Sequence, residues 1–413
     1  MIFSRRPTLV VGLDLGTSAI KIAVGERRSD GGLTLIGAHQ VESRGMRKGE
    51  VVDYVAASAC IFQAIHETEE MLNMDIRQVE LAMTGGHIES ANYRGTVPVH
   101  GEMHQITEED VEEVVERTHL SASLPDDRAV LHVIRQQFCI DGKDGVSNPV
   151  GLVGSRLEAD THFIHGISTR LRNTLQCLHS RRETLMDVGN CVFSGLASAL
   201  AVLGRHEKEM GAILLDIGAG ATEYVVYAKG MIRQTGVLAV GGDHLINDLL
   251  LGLKLQSRKQ VRTLIHEHGS VGLDDSLHGK TVKVKTSELL DREREFLLEH
   301  IHTILRHRMD ETLRIIHERV REHGLLDLAR AGVFLTGGCA RIRGLTELAQ
   351  SIFGMTATVA LPQGFDGQFE QAACPELATV LGLVRYGHIK GNGNSAANDG
   401  VKGYLTRWLG MRK

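Results

Sequence analysis

Residues 9–24 read LVVGLDLGTSAIKIAV: an apolar run, a turn of small residues at Asp14-Leu15-Gly16, then a second run in which Ile20, Ile22 and Val24 alternate with Lys21 and Ala23. Residues 213–227, ILLDIGAGATEYVVY, repeat this pattern around Asp216-Ile217-Gly218. An internal duplication constrains architecture more than any single motif. The two aspartates stand about 200 positions apart, roughly half the chain, so the pattern predicts two similar α/β lobes with a cleft between them.

A strand-turn-strand of this kind brings backbone N–H groups to phosphate oxygens, while a carboxylate holds Mg2+ through water. Asp14 and Asp216 fit the carboxylate role. Gly16, Thr17 and Ser18 in the first loop, and Gly218, Ala219 and Gly220 in the second, let an anion approach the backbone, and Lys21 adds a compact positive charge. Either turn alone also reads as an ordinary tight turn. A third element, residues 335–340 (LTGGCA), runs from strand into glycine at Gly337 and Gly338, where a base and ribose can rest on backbone. There is no G-x-x-x-x-G-K-[ST] loop and GAGATE lacks the GxGxxG spacing, so the P-loop and Rossmann readings lose to ATP held between two lobes.

The 413 residues predict two to four structural units, and a net charge of −5 offers no global reason to expect nucleic acid. Six scattered cysteines without a CxxC pair suit a reducing compartment. The start of the chain is not a signal peptide, and no run approaches the roughly 18 apolar residues of a membrane span. Among 21 histidines, neither His300, His302 and His307 nor His266 with His268 has the i, i+4 pairing that seats one metal ion. Thr107 caps an expected helix over 107–116 with Val111, Val114 and Val115 on one face, strands flank it near 130–140 and 157–164, and a long helix is expected over 292–323. Residues 390–400 (KGNGNSAANDG) hold almost nothing that can be buried and read as a flexible linker.

Thirteen residues complete the chain. In a helix, Val401, Tyr404, Leu405, Trp408 and Leu409 form one apolar stripe, with Lys402, Arg407, Arg412 and Lys413 around it. Basic residues near an anionic leaflet contribute ~1 kcal/mol each. A helix this short is marginal in water, so binding is weak for one molecule and strong for a row of them.

Over nearly its whole length the chain resembles the FtsA proteins, actin-like components of bacterial cell division. The matching segments are VGLDLGTSAIKIAVGE (11–26), GGHIES (85–90), GTVPV (95–99), ITEEDVEEVV (106–115), NPVGLVGSRLEA (148–159), FSGLASALAVL (193–203), LLDIGAGATE (214–223), FLTGGCARIRGL (334–345) and the terminal tail. The resemblance implies an actin-like α/β fold, two lobes around a nucleotide cleft with an inserted subdomain at 87–165. The rest divides into 1–86 with 166–200, 201–245 with 330–388, and 246–329, ahead of a linker at 389–400 and an amphipathic helix at 401–413. It further implies filaments on the inner membrane face that tether FtsZ and recruit other division proteins. Arg308 and Glu311 match a partner-facing segment of the family, where Arg308 would meet the acidic FtsZ tail.

Some positions depart from the family's pattern. Ala219 and Ala221 replace a glycine and a threonine of the usual DIGGGT, Cys339 stands where a third glycine is common, and Arg262 and Ile265 align with a ribose-binding Glu and Lys. Related ATPases orient the attacking water with a Glu where Ser194 stands. A water-positioning group contributes ~10² to 10⁴ in rate, so the expectation is an ATP holder with feeble hydrolysis. Rival readings are an actin-fold small-molecule kinase, a heat-shock chaperone ATPase, and an MreB-like or pilus-assembly homologue. No substrate-side carboxylate base, no following substrate domain, and the linker with its basic amphipathic helix count against them respectively.

Overall fold

The computed structural model describes residues 8–100, 102–122, 124–178, 186–272, 278–287, 292–367 and 373–391. Strand β1 (Thr8–Leu15) pairs antiparallel with β2 (Ala19–Arg27), because Ile20, Ile22 and Val24 bury on one side of the strand. β3 (Leu33–Glu42), a short hairpin of β4 (Met46–Arg47) and β5 (Glu50–Val51), helix α1 (Tyr54–Leu72) and β6 (Gln78–Met83) follow. The Asp53 carboxylate caps α1 by accepting the Ala56 N–H, and Asn73 ends it in the left-handed conformation.

The chain then builds a separate sheet from β7 (Glu89–Pro98), β8 (Arg128–Ile140), β9 (Lys143–Val146) and β10 (Arg156–Ile167), ordered β7-β10-β8-β9, with α2 (Glu108–Ser121) packed on β7 and β10. Thr107 starts α2 as a capping box. Its hydroxyl accepts the Asp110 N–H at 3.2 Å and the Asp110 carboxylate accepts the Thr107 N–H at 2.8 Å. Val114 is buried in this unit's own core with Val97, Phe138 and Leu157, flanked by the partly buried Val111 and Val115.

α3 (Ser168–Gln176) and β11 (Asp187–Phe193) return to the first sheet, and α4 (Ser194–Val202) and α5 (Arg205–Met210) lead to the second lobe. There β12 (Ala212–Ile217), β13 (Thr222–Ala228) and β14 (Met231–Leu238) repeat the antiparallel meander of β1 to β3. They are followed by α6 (Gly242–Gly252), α7 (Arg258–His268), the hairpin β15 (Thr281–Ser287) and β16 (Arg292–Leu297), α8 (Leu298–Glu322), β17 (Gly332–Thr336), α9 (Leu345–Phe353) and β18 (Ala357–Val359). The second sheet runs β14-β13-β12-β17-β18. β19 (Asp366–Gly367) completes the first as β11-β6-β1-β2-β3-β19, and α10 (Ala378–Gly391) closes the described chain against β1, β2 and β6.

Two of the expected boundaries move. The long helix begins at Leu298 and not at 292, because residues 292–297 pair with β15 as a strand before the helical period takes over. From Leu298 on, Ile301, Leu305, Met309, Leu313, Ile316 and Val320 form one buried face, with Leu298 partly buried at its start. His302 of this helix donates its Nε2–H to the His268 carbonyl at 2.8 Å. Residues 366–367 and 378–391, expected within the second lobe up to 388, pack on the first sheet, since β19 pairs with β3 and α10 lies on β1.

The lobes are joined by α4 crossing α10. Ile213 and Leu215 of β12 face the second core, while Leu214 faces a first core that runs continuously through α4 and α10 to β1. Away from this crossing, the inserted sheet is sewn to β14. The Ser90 hydroxyl donates to the Thr235 carbonyl at 2.8 Å, Asn92 Nδ2 donates to the Arg233 carbonyl at 2.8 Å, and buried His162 links Asn92 Oδ1 (2.7 Å) with Thr235 Oγ1 (3.1 Å). Burial pushes the His162 imidazole down to about 3, so it serves this seam uncharged.

At the α4–α10 crossing the backbones touch at Gly382. A Cβ there would collide with the carbonyl of Ala197, an atom no side-chain rotation can move. Gly382→Ala should therefore lower the melting temperature, with a loss of about 1–3 kcal/mol as overpacking at a rigid contact predicts. A variant melting with the wild type would show that the crossing yields.

Candidate nucleotide-binding site

The two Asp-x-Gly turns face each other across one cleft of about 600 Å³, within the usual range of ligand pockets. Strand register decides which side chains arrive there. In β1–β2 Asp14 lies opposite Lys21, whose Nζ stands 3.4 Å from Asp14 Oδ2. In β12–β13 Asp216 lies opposite Glu223. The first turn thus pairs opposite charges and the second pairs like charges, which is destabilising unless a proton intervenes.

Surroundings reinforce that difference. Asp14, Asp216 and Glu223 are 6%, 5% and 6% exposed. Burial, and then the charge of Asp216, pushes the Glu223 carboxyl up to about 8, while the Thr84 hydroxyl hydrogen-bonds to its Oε1. Burial also raises Asp216, against the hydroxyls of Ser198 and Thr379 (3.0 Å) that donate to its Oδ2. Thr84 and Ser198 belong to the first lobe, so both of these contacts cross the cleft.

The loops are held by their own backbones. Gly49 N–H donates to Thr17 Oγ1 at 3.0 Å, Gly218 N–H to the Ala221 carbonyl at 2.9 Å, and the first amides of α6, Gly242 and Asp243, to the carbonyls of Gly218 (3.0 Å) and Ala219 (2.8 Å). Gly220 lies so close to Thr17 that a Cβ would collide with the Thr17 hydroxyl, which leaves backbone as the only surface the second turn can offer there. Gly337 N–H donates to the Pro375 carbonyl at 3.1 Å, and Cys339 Sγ lies 3.5 Å from the Gly218 carbonyl oxygen, at the junction of the second and third elements.

The cleft brings together Asp14, Gly16, Thr17, Ser18 and Lys21 with Asp216, Gly218, Ala219, Gly220, Gly337 and Gly338, and the departures Ala221, Arg262, Ile265 and Cys339 also line it. Ser194 lines it too, but its hydroxyl donates to the Met83 carbonyl at 3.0 Å. Sequence reasoning misses Glu223, Thr84, Ser198 and Thr379. Glu223 carries a signal, since it stands seven residues after Asp216 as Lys21 stands seven after Asp14. The three hydroxyl residues carry none, because only the folded crossing of the lobes brings them to the carboxylates. Arg308 and Glu311 lie elsewhere, on α8. Arg308 makes a bidentate pair with Asp248 of α6 (2.6 and 3.1 Å) and a further ion pair with Glu311. The predicted membrane residues Val401, Lys402, Tyr404, Leu405, Arg407, Trp408, Leu409 and Arg412 lie outside the described residues.

Comparison with known proteins agrees with this architecture. A model described as the SHS2 domain inserted in FtsA matches residues 85–165, and a model of cell division protein FtsA matches residues 213–382. Cell division protein FtsA of Escherichia coli K12 is 33% identical over 412 residues, covering 97% of this chain and 96% of its own. The Bacillus subtilis protein is 31% identical over 381 residues, covering 92% and 83%. Among solved structures, a type IV pilus PilM–PilN complex covers 92% of this chain and 98% of its own at TM-score 0.64 and 17% identity. MreB5 of Spiroplasma citri bound to ADP covers 94% and 99% at TM-score 0.52 and 14% identity; both share the actin-like fold. By sequence, inserted domain and fold, the chain belongs to the FtsA family of cell-division proteins.

Proposed function

We propose that the chain holds ATP with Mg2+ in its cleft, assembles into filaments on the inner face of the cytoplasmic membrane, and there tethers FtsZ and recruits further division proteins. The observation that carries the nucleotide reading is the pair of facing turns lined by buried carboxylates. Amides of Gly16, Thr17 and Ser18, and of Ala219 and Gly220, would donate to phosphate oxygens, while Gly218, whose own N–H is spent on the Ala221 carbonyl, keeps the second turn tight and open to the anion. Gly337 and Gly338 support the nucleoside. The side chains fit a hydrated cation: Asp14 and Asp216 present acceptor oxygens to the cleft from opposite lobes, and Lys21 partners Asp14. Mg2+, when bound, neutralises phosphate charge and draws the carboxyl groups toward their ionised form.

Hydrolysis is the weak part of this site. Ser194, where a water-orienting carboxylate is expected, spends its hydroxyl on a backbone carbonyl. Such a cleft keeps ATP bound as an assembly signal.

Attachment rests on residues 401–413, and FtsZ contact on the α6–α8 surface. Arg308 stays fixed by Asp248 while the exposed Glu311 can yield its place to a carboxylate of an acidic tail. No helix among the described residues is long and apolar enough to cross a membrane, so this reading has the protein lying on the surface.

ATP with Mg2+ should raise the melting temperature of the wild type and leave Asp216→Ala unmoved, with wild-type turnover near background; rapid turnover abolished by Asp216→Ala would overturn the holder reading. In nucleotide-free protein, Glu223→Gln should be the more stable form above pH 4.5. The folded carboxyl titrates near 8 and the unfolded one near 4.5, so wild-type stability declines through that window by at most about 1.4 kcal/mol per pH unit and levels off above it. Melting curves from pH 5 to 9 check the sign, and parallel curves would refute it. In co-sedimentation with anionic liposomes and FtsZ, loss of residues 401–413 should remove liposome binding and spare FtsZ. Arg308→Glu should do the reverse, and undiminished binding in either case sinks that half of the tether.

A further inference from the structure

One end of the inserted unit shows apolar side chains to solvent. Residues 103–106 run antiparallel to 151–154, with the Ile106 N–H on the Leu152 carbonyl (2.8 Å), the Gly154 N–H on the His104 carbonyl (3.0 Å) and Gln105 bridged to Val153. This ledge presents Met103, 84% exposed, and Val153, 67% exposed, beside the half-exposed Leu152 and Val150. Met103 and His104 both take the left-handed conformation (φ 60° and 54°), which side chains disfavour, and His104 Nδ1 on the Val99 carbonyl (3.0 Å) holds the turn there. From the ledge the chain passes into α2, whose Glu108, Glu109, Glu112, Glu113 and Glu116 are exposed. Among the described residues only Glu113 of these has an ion pair, with Arg117. The surface is apolar with an acidic border, so an anionic bilayer is the wrong partner for it and a basic amphipathic segment the right one.

The chain carries such a segment. Residues 401–413 hold four basic residues and no acidic one, together with Tyr404, Leu405 and Trp408. They follow α10, which ends beside the root of the inserted sheet. The Tyr386 ring lies 6.0 Å from that of His132 on β8, and the Lys390 charge adds to burial in pushing the His132 imidazole down to about 3. From His132, β8 runs about 26 Å to Ile140 at the usual strand rise, and there a Cβ on Gly154 would meet the Ile140 side chain. Residues 392–400 span up to about 30 Å when extended, enough to bring Val401 to the ledge. We infer that, without lipid, residues 401–413 rest on their own subunit's ledge, the apolar stripe against Met103, Leu152 and Val153 and the basic side chains against the α2 glutamates. This seat competes with the membrane for the tail. The inference rests on the reading of the tail as an amphipathic membrane helix.

Trp408 is the chain's one tryptophan, so its fluorescence reports the seat directly. Acrylamide quenching of the full chain, alone and with vesicles of phosphatidylglycerol and phosphatidylcholine, tests it. Without vesicles, wild-type Trp408 should be quenched several-fold less than free tryptophan at every protein concentration. Met103→Glu combined with Val153→Glu, both at exposed positions, should raise quenching to the free value and tighten vesicle binding about fivefold, as release of a mostly seated tail predicts. Free-like quenching in the wild type refutes the seat and leaves the membrane reading standing. Shielding that is lost on dilution puts the tail on a second copy and overturns the seat within one subunit. If vesicles neither bind the wild type nor change its Trp408 signal, the membrane reading falls and the competition with it.

Discussion

Three carboxyl groups, Asp14, Asp216 and Glu223, are brought out of water onto the walls of one cleft by strands from two lobes. Removing charge from solvent is costly, and the protein meets that cost in three ways: Lys21 beside Asp14, two hydroxyls on Asp216, and a proton retained by Glu223. Hydroxyl contacts to these carboxyls also span the lobes. Thr84 reaches Glu223, and Ser198 reaches Asp216 from α4. The position of one lobe on the other is therefore tied to the electrostatic state of the cleft, and a cation entering there changes the terms on which the lobes meet.

The duplication that reveals the fold also shows how its halves have diverged. Both meanders keep the aspartate, the glycine turn and the returning strand, but the residue facing the aspartate is Lys21 in one and Glu223 in the other. One half supplies a fixed positive charge. The other supplies a group whose charge depends on what is bound beside it. The Ala219, Ala221 and Cys339 departures fall on the same, variable half.

How much of this is legible in the sequence depends on whether the signal is local. The turns, the strands flanking them and the Thr107 cap are written in neighbouring residues, and the structure forms them there. Residues 292–297 run REREFL, four charged positions and then two apolar ones, with no strand alternation, and only pairing with β15 makes them a strand, so the helical period of residues 298–322 masks them in the sequence. The return of β19 and α10 to the first sheet is a long-range event without a local cue. The same holds for Thr84, Ser198 and Thr379, which belong to the site because α4, α10 and β6 converge on it. Glu223 is readable by comparing the two halves position by position.

The seam between the inserted sheet and β14 has a mechanical meaning. A door hung on one hinge swings freely, but this molecule is fastened both at the α4–α10 crossing and, away from it, through Ser90, Asn92 and His162. With two fastenings, the lobes are left to twist about the line that joins them. A small twist displaces most whatever lies farthest from that line. Such a frame would turn a small change in the cleft into a larger change of outline at its rim.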